Sequence, residues 1–210
     1  MEGSDSMRKF LLVAVLAMGA LAAYLLLWPV PIAPVAWDAP PAPGYAGPHA
    51  RNERLAKLQH LELGSKEEGP EHVVEREGWI YAAVGSGAIV RMRPDGSQRE
   101  VAVQTGGRPL GFDFDASGAM IIADPMYGPH GGLLKATGLG PAAKIELLAD
   151  RVGREPIRYA DGVVVARSGK IYFTDASRRF APKEVGGTFL ASIYDILEHR
   201  ASGRLLQYDP

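Results

Sequence analysis

The fold can be predicted from the segment Arg158–Asp175, "RYADGVVVARSGKIYFTD". It contains two apolar runs joined by a Ser-Gly turn, with a carboxylate near each outer end. Two weaker copies lie upstream, "VVEREGWIYAAV" at 73–84 and "FDFDASGAMIIAD" at 112–124. The turn glycines, Gly78, Gly118 and Gly169, are 40 and 51 residues apart. A repeat of this length indicates a modular fold and predicts a pair of antiparallel strands in each copy.

Each copy continues into further strands. A third strand follows as "GAIVRM" from Gly87, "GGLLKA" from Gly131 and "GRLLQY" from Gly203, and the first two copies add "REVAV" at 99–103 and "KIELLA" at 144–149. Four antiparallel strands in 40 to 50 residues are typical of a β-propeller blade, and propellers have roughly four to eight blades. The sequence therefore predicts an all-β partial propeller over 61–210, with three blades at about 70–105, 106–152 and 153–210.

Three blades leave inner strands and a sheet edge open, which native folds avoid. We therefore expect the chain to be an N-terminal fragment or a truncated product of a longer protein. We also expect it, taken alone, to fold poorly or to associate through the open edge. A half-ring closed by a symmetric partner is the alternative.

The strand order predicts at which end of the blades the functional residues lie. In a four-stranded meander, the segment before the first strand and the loop between the second and third strands lie at the same end of the blade. The long polar connections meet at that end here, whereas the opposite turns are short. Asp161 and Asp175 both face this loop-rich end, where binding and catalytic residues are commonly placed.

The N-terminus carries an uncharged apolar run, Phe10 to Trp28, of 19 residues. As a helix it would be roughly 28 Å long, enough to cross a bilayer. A cleavable signal peptide is the rival interpretation, but the run continues past the small residues at 20–22, which favours an uncleaved anchor. Cations precede the run, so residues 1–9 are predicted to be cytoplasmic and the propeller to be on the periplasmic or extracytoplasmic side. Residues 29–60 begin with a proline-rich stretch and are predicted to form a stalk.

Composition excludes several classes of protein. The net charge of −1 provides no basic field for a nucleic acid. The chain has no cysteine, which excludes disulfides, cysteine-based zinc sites and thiol nucleophiles. There is also no Gly-x-Ser-x-Gly motif for a serine hydrolase.

Four motifs in order resemble the strictosidine synthase-like family, which includes the adipocyte plasma membrane-associated proteins. They are "GPE" at 69–71, "GRPLGFDFDASGAMIIAD" at 107–124, "YADGVVVARSGKIYFTDASRRF" at 159–180 and "DILEHRASGRLLQYDP" at 195–210. The resemblance implies a six-bladed propeller of the SMP-30, gluconolactonase and paraoxonase group, of which the N-terminal half is present. In the hydrolases of that group, calcium at the propeller axis activates an ester or lactone carbonyl.

The resemblance also implies site residues. Glu71 corresponds to the first calcium ligand of the hydrolases; a surface-loop carboxylate near Lys66 is the alternative. Ala160 stands where gluconolactonases have a ligating Asn, so calcium binding would be weakened. Asp161 is a candidate to replace that ligand or to act in catalysis, and binding of loop backbone groups is the alternative. Arg158 is a candidate for pairing with a substrate carboxylate, with a salt bridge to Glu155 as the alternative.

These considerations predict a membrane-anchored hydrolase for a small ester or lactone, of the lactonase or arylesterase type. The alternatives are a non-catalytic propeller that binds partners at the membrane surface, and a metal-independent condensing enzyme of the strictosidine synthase type. Residues 188–200, "TFLASIYDILEHR", are predicted to form an amphipathic helix at the loop-rich end. That helix is either a lid or an element packed through its apolar face on neighbouring loops.

Overall fold

A computed structural model describes residues 2–64 and 67–210 of the chain. It contains two separate compact units, residues 1–33 and 34–210. The first is dominated by helix α1 (Glu2–Leu27), in which Ser6–Leu27 is long and apolar enough to cross a membrane. A signal sequence would satisfy the same criterion.

The second unit is built from antiparallel sheets. The first sheet contains β1 (Val73–Arg76), β2 (Trp79–Ala83), β3 (Ala88–Met92) and β4 (Glu100–Gln104) in sequential order. The second contains β5 (Gly111–Phe114), β6 (Met120–Asp124), β7 (Gly132–Thr137) and β8 (Lys144–Ala149). A hairpin of β9 (Arg151–Val152) and β10 (Glu155–Pro156) precedes the third sheet, formed by β11 (Ala160–Val165), β12 (Ile171–Asp175) and β13 (Arg204–Tyr208).

Helices occur only at a few places in the described part of this unit. Two of them, α2 (Pro182–Val185) and α3 (Thr188–Glu198), lie between β12 and β13. Single 3-10 turns occupy Gly47–His49 and Gly140–Ala142. The residues between α1 and β1 otherwise form no helix or strand where the structure describes them.

The sheets are stacked so that the second lies between the first and the third. Successive residues of β6 show this arrangement, because neighbouring side chains of a strand point to opposite faces. Ile122 packs in a cluster with Tyr81 and Ile89 of the first sheet. Ile121 packs in another cluster with Ile171 and Phe173 of the third sheet. Each repeat therefore buries its faces against its neighbours, as propeller blades do.

The turns opposite the loop-rich end form where the glycine spacing predicts them. Gly78, Gly118 and Gly169 have φ angles of 73°, 84° and 86°, in the left-handed region that glycine tolerates best. In each of the three sheets, strands that are consecutive in sequence are hydrogen-bonded neighbours, as a meander requires. The predicted all-β partial propeller, preceded by an N-terminal apolar helix, is confirmed.

Candidate functional site

Two buried carboxylates organise the loop-rich end. Asp124 closes β6 and accepts hydrogen bonds from Thr105 Oγ1 at 2.7 Å and from the backbone N–H groups of Arg108 and Met126 at 2.8 Å. Its side chain is fully buried. Gly107 lies so close that a Cβ there would be 2.5 Å from Asp124 Oδ1, so only glycine fits this loop. Asp124 therefore holds two loops in fixed positions.

Asp175 does the same work in the third sheet. Its Oδ1 accepts the backbone N–H groups of Arg158 at 3.2 Å and Tyr159 at 2.7 Å, and its Oδ2 accepts Arg204 Nε at 3.0 Å. Such a fully buried carboxylate needs several charge-assisted hydrogen bonds to offset its desolvation. Asp175 thus fixes the backbone that leads into β11.

A β-bulge in β11 sets the position of Asp161. Ala160 pairs with Asp175 and Val163 with Phe173, so one extra residue is accommodated between the two pairs. The backbone N–H of Gly162 donates to Thr174 Oγ1 at 2.8 Å, which stabilises the bulge.

Asp161 and Glu71 form the centre of the candidate site. Burial raises the pKa of Asp161 above its ordinary value, the negative charge of Glu71 raises it further, and His72 acts in the opposite direction. The charge of Glu71, in the loop before β1, thus acts on Asp161 in β11 of the third sheet. Like-charged carboxyls with different environments are a frequent arrangement in active sites.

Glu71 reaches this position because its loop is tied to the first sheet. Its backbone N–H donates to the Ala83 carbonyl at 3.0 Å, and the Ala83 N–H donates to the His72 carbonyl at 3.0 Å. The Glu71 side chain is 51% exposed, and its Oε2 lies 3.9 Å from Arg108 Nη2. The alternative partner, Lys66, lies outside the described residues.

Tyr159 connects the site to α3. Its hydroxyl donates to the Thr188 carbonyl at 3.0 Å and lies 2.9 Å from Ser192 Oγ. Burial raises the pKa of Tyr159, and Asp161 and Glu71 contribute in the same direction. The phenol is therefore a neutral hydrogen-bonding group beside the carboxyl pair.

Known proteins were compared with this chain. A family model described as "Strictosidine synthase-like, N-terminal" matches residues 47–92. Protein STRICTOSIDINE SYNTHASE-LIKE 7 of Arabidopsis thaliana is 36% identical over 135 residues, which are 62% of this chain and 33% of the relative. Protein STRICTOSIDINE SYNTHASE-LIKE 6 of the same plant is 35% identical over 147 residues, 67% of this chain and 36% of the relative.

The chain belongs to the strictosidine synthase-like family. Adipocyte plasma membrane-associated protein of Salmo salar is also similar, with 26% identity over 195 residues, 85% of this chain and 44% of the relative. The family predicted from the four motifs is confirmed. The chain spans about a third of the length of the plant relatives and less than half of the salmon protein.

The residues of this strictosidine synthase-like chain do not by themselves build a calcium cage. Calcium takes six to eight oxygen ligands. Glu71 and Asp161 supply two carboxyls, but Arg108 is already close to the first of them. Ala160 has no side-chain oxygen, and it is fully buried in the apolar cluster with Ile157 and Phe173. Among residues 2–64 and 67–210, no three His, Asp or Glu side chains are grouped to hold a metal.

The salt bridge between Arg158 and Glu155, which was the alternative predicted from the sequence, is not formed. Its Nη1 lies 2.7 Å from Glu184 Oε1 of α2, whereas Glu155 pairs with Arg204 at 2.7 Å. The hairpin of β9 and β10 explains the difference, because it carries Glu155 to the Arg204 side of the loop. Arg158 therefore lies beside α2, whereas Arg108 is the arginine that lies close to Glu71.

Sequence reasoning missed Arg108, although the repeat contained a signal for it. The backbone N–H of Arg108 binds the carboxylate of Asp124, as that of Arg158 binds Asp175. The two arginines thus occupy equivalent positions in successive blades. The extra bulge residue in β11 shifts the second copy by one position and obscures the match.

Proposed function

We propose that this protein is a membrane-anchored hydrolase of a small ester or lactone, of the arylesterase or lactonase type, with Glu71 and Asp161 at its reaction centre. The observation that carries the proposal is the electrostatic interaction of half-buried Asp161 with Glu71, whose Oε2 lies 3.9 Å from Arg108 Nη2. The fold and the family are those of the strictosidine synthase-like proteins, and the hydrolase activity is what we propose in addition.

The two carboxyls have environments suited to different roles. Asp161 is half-buried and its raised pKa increases the fraction that carries a proton. A protonated carboxyl can act as a general acid, which gives its proton to the oxygen that leaves. Glu71 is half-exposed, in contact with water, and suited to act as a general base.

The reaction that these groups support is acyl hydrolysis. Glu71 takes a proton from water while the water oxygen bonds to the acyl carbon. Asp161 donates its proton toward the oxygen that leaves as the carbon–oxygen bond breaks. The products are a carboxylic acid and an alcohol, joined in one molecule when the substrate is a lactone. Arg108, whose Nη2 lies 3.9 Å from Glu71 Oε2, would stabilise negative charge in this region.

Arg158 and calcium have secondary places in the proposal. Arg158, which pairs with Glu184 of α2, would orient the acidic part of a substrate if Glu184 released it. Calcium binding is a prediction of the family resemblance, and no step above depends on the ion.

Anchoring is the second part of the proposal. Ser6–Leu27 would cross the membrane as a single uncleaved helix, and its composition and a membrane-associated relative support this. Arg8 and Lys9 lie at its N-terminal end and the next charge is Asp38, which favours a cytoplasmic N-terminus.

A non-catalytic binding propeller is the competing function. The observation that favours it is Ala160, which is buried in apolar surroundings where hydrolases of the wider group have a ligand. A condensing reaction of the strictosidine synthase type is the third candidate, and it would not need the metal ligand.

Hydrolysis assays test the proposal. The purified protein in detergent is tested with phenyl acetate and with an aliphatic δ-lactone, beside Glu71→Gln and Asp161→Asn. Glu146→Gln, which changes an exposed carboxylate of the outer strand β8, is the matched control. We expect both site variants to lose about 100-fold in kcat/KM, the usual contribution of a general acid or base, and the control to keep the full rate. An unmodified protein without activity, or site variants as active as the unmodified protein, would contradict the proposal.

A further inference from the structure

Helix α3 presents its apolar side chains outward. Phe189, Ile196 and Leu197 are 74%, 61% and 54% exposed, and Leu190 is 39% exposed. Positions three, four, seven and eight residues apart share one side of a helix, so these four side chains form a continuous surface. We call this surface, formed by Phe189, Leu190, Ile196 and Leu197, the outward apolar face.

The polar side of the same helix faces the protein. Glu198 is 1% exposed and pairs with Arg179 at 2.8 Å and Arg200 at 3.0 Å. Asp195 accepts a hydrogen bond from Ser177 Oγ at 2.9 Å, and Ser192 contacts the Tyr159 hydroxyl. A surface helix of a globular protein normally has the opposite arrangement, with its apolar stripe toward the core. The ion pairs of Glu198 and the hydrogen bonds of Asp195 and Ser192 hold α3 with its polar side toward the protein and its apolar side outward.

The outward apolar face is extended by the segment that follows α1. The Val35 N–H donates to the Glu198 carbonyl at 2.9 Å. The Trp37 ring lies 5.7 Å from His199, edge to face, and is 64% exposed. Tryptophan favours the boundary between lipid and water, where its ring meets apolar groups and its N–H meets polar ones.

The chain between α1 and Val35 is short. The seven peptide steps from Trp28 to Val35 can span at most about 25 Å when fully extended. If α1 crosses a bilayer, as the proposed function has it, the C-terminal end of α3 is confined to this distance from the bilayer surface. Exposed apolar side chains held this close to a bilayer can leave water by inserting into the lipid.

We infer that the outward apolar face, together with Val35 and Trp37, is a bilayer-contact surface that lies in the lipid interface. This inference rests on the anchoring part of the proposed function. Amphipathic helices that lie in the interface have this combination of exposed large apolar residues and a charged opposite side. Because Ser192 and Thr188 of α3 bind Tyr159, contact of the helix with lipid also places the candidate site at the membrane surface.

Single-cysteine labelling tests the inference directly, since the chain has no cysteine of its own. Ile196→Cys and Phe189→Cys place an environment-sensitive fluorophore on the outward apolar face, at exposed positions where folding is not disturbed. Ser168→Cys, in the exposed turn at the opposite end, is the matched control, and Ala17→Cys reports on α1. The whole protein is reconstituted into phosphatidylcholine and phosphatidylglycerol vesicles that contain doxyl-labelled lipid.

We expect doxyl lipid to quench the labels at 196 and 189 at least about twofold more than the label at 168, and aqueous iodide to show the reverse order. Quenching at Ala17 but not at 196 or 189 would overturn the inference and leave the anchoring intact. Absence of lipid quenching at Ala17 as well would refute the anchoring together with the inference. Labels at 196 and 189 shielded from both quenchers would show a protein occupant instead, which also overturns the inference.

Discussion

Removal of the Asp175 carboxylate should destabilise the third sheet, because this group is fully buried and accepts three hydrogen bonds. Breaking a buried ion pair by deleting one partner costs about 3–5 kcal/mol. Arg204 would retain Glu155 at 2.7 Å and the Pro156 carbonyl at 2.9 Å, so it would not be left unpaired. We therefore expect Asp175→Ala to lower the free energy of unfolding by about 3 kcal/mol, the lower end of that range.

The same arginine supplies a matched control. Glu155 is 64% exposed, so Glu155→Ala should lower the free energy of unfolding by less than about 1 kcal/mol. Both values can be measured by urea-induced unfolding in non-ionic detergent, followed through tryptophan fluorescence and extrapolated to zero denaturant. Equal effects of the two substitutions, or a loss below about 1 kcal/mol for Asp175→Ala, would refute the role assigned to the buried carboxylate.

Three further substitutions have defined outcomes in the same unfolding assay. The raised pKa of Asp161 favours folding at low pH and disfavours it once the carboxyl ionises. Asp161→Asn should therefore stabilise the protein at neutral pH by an amount that disappears below pH 3.8, the ordinary pKa of the group, and a gain independent of pH would contradict this. Ala160→Asn would bury an amide among apolar side chains and should cost about 1–3 kcal/mol; a neutral effect would show that position 160 faces a polar space. Gly111→Ala would place a Cβ 2.4 Å from the Asp161 carbonyl oxygen and should lower the free energy of unfolding by about 2 kcal/mol. Gly162→Ala, whose Cβ would be 3.4 Å from its nearest neighbour, is the control, and similar losses in both variants would argue against a close approach of β5 and β11.

The strands were predictable because each blade repeats the same local chemistry. Gly78, Gly118 and Gly169 mark turns in which a positive φ angle is required, and strands of four to six residues flank them. Asp124 and Asp175 end their strands, where carboxylates bind loop N–H groups. These signals are local, so a single sequence contains them.

The site was less predictable because it depends on contacts between blades. The pattern of 188–200 predicts an amphipathic helix but not the direction of its apolar side, which is set by distant partners such as Tyr159 and Arg179. The bulge in β11 depends on Thr174, and the approach of Arg108 to Glu71 joins two blades. Glu71 and Asp161 were both singled out from sequence, but the effect of the Glu71 charge on Asp161 was not.

Joint action of Glu71 and Asp161 in one hydrolytic reaction can be measured by a double-mutant cycle on kcat/KM. Glu71→Gln, Asp161→Asn and the double variant are compared with the unmodified protein on the same ester and lactone. If the two carboxyls act as a unit, the double variant will lose no more activity than the more impaired single variant. Losses that multiply, or variants as active as the unmodified protein, would contradict joint action of the two carboxyls.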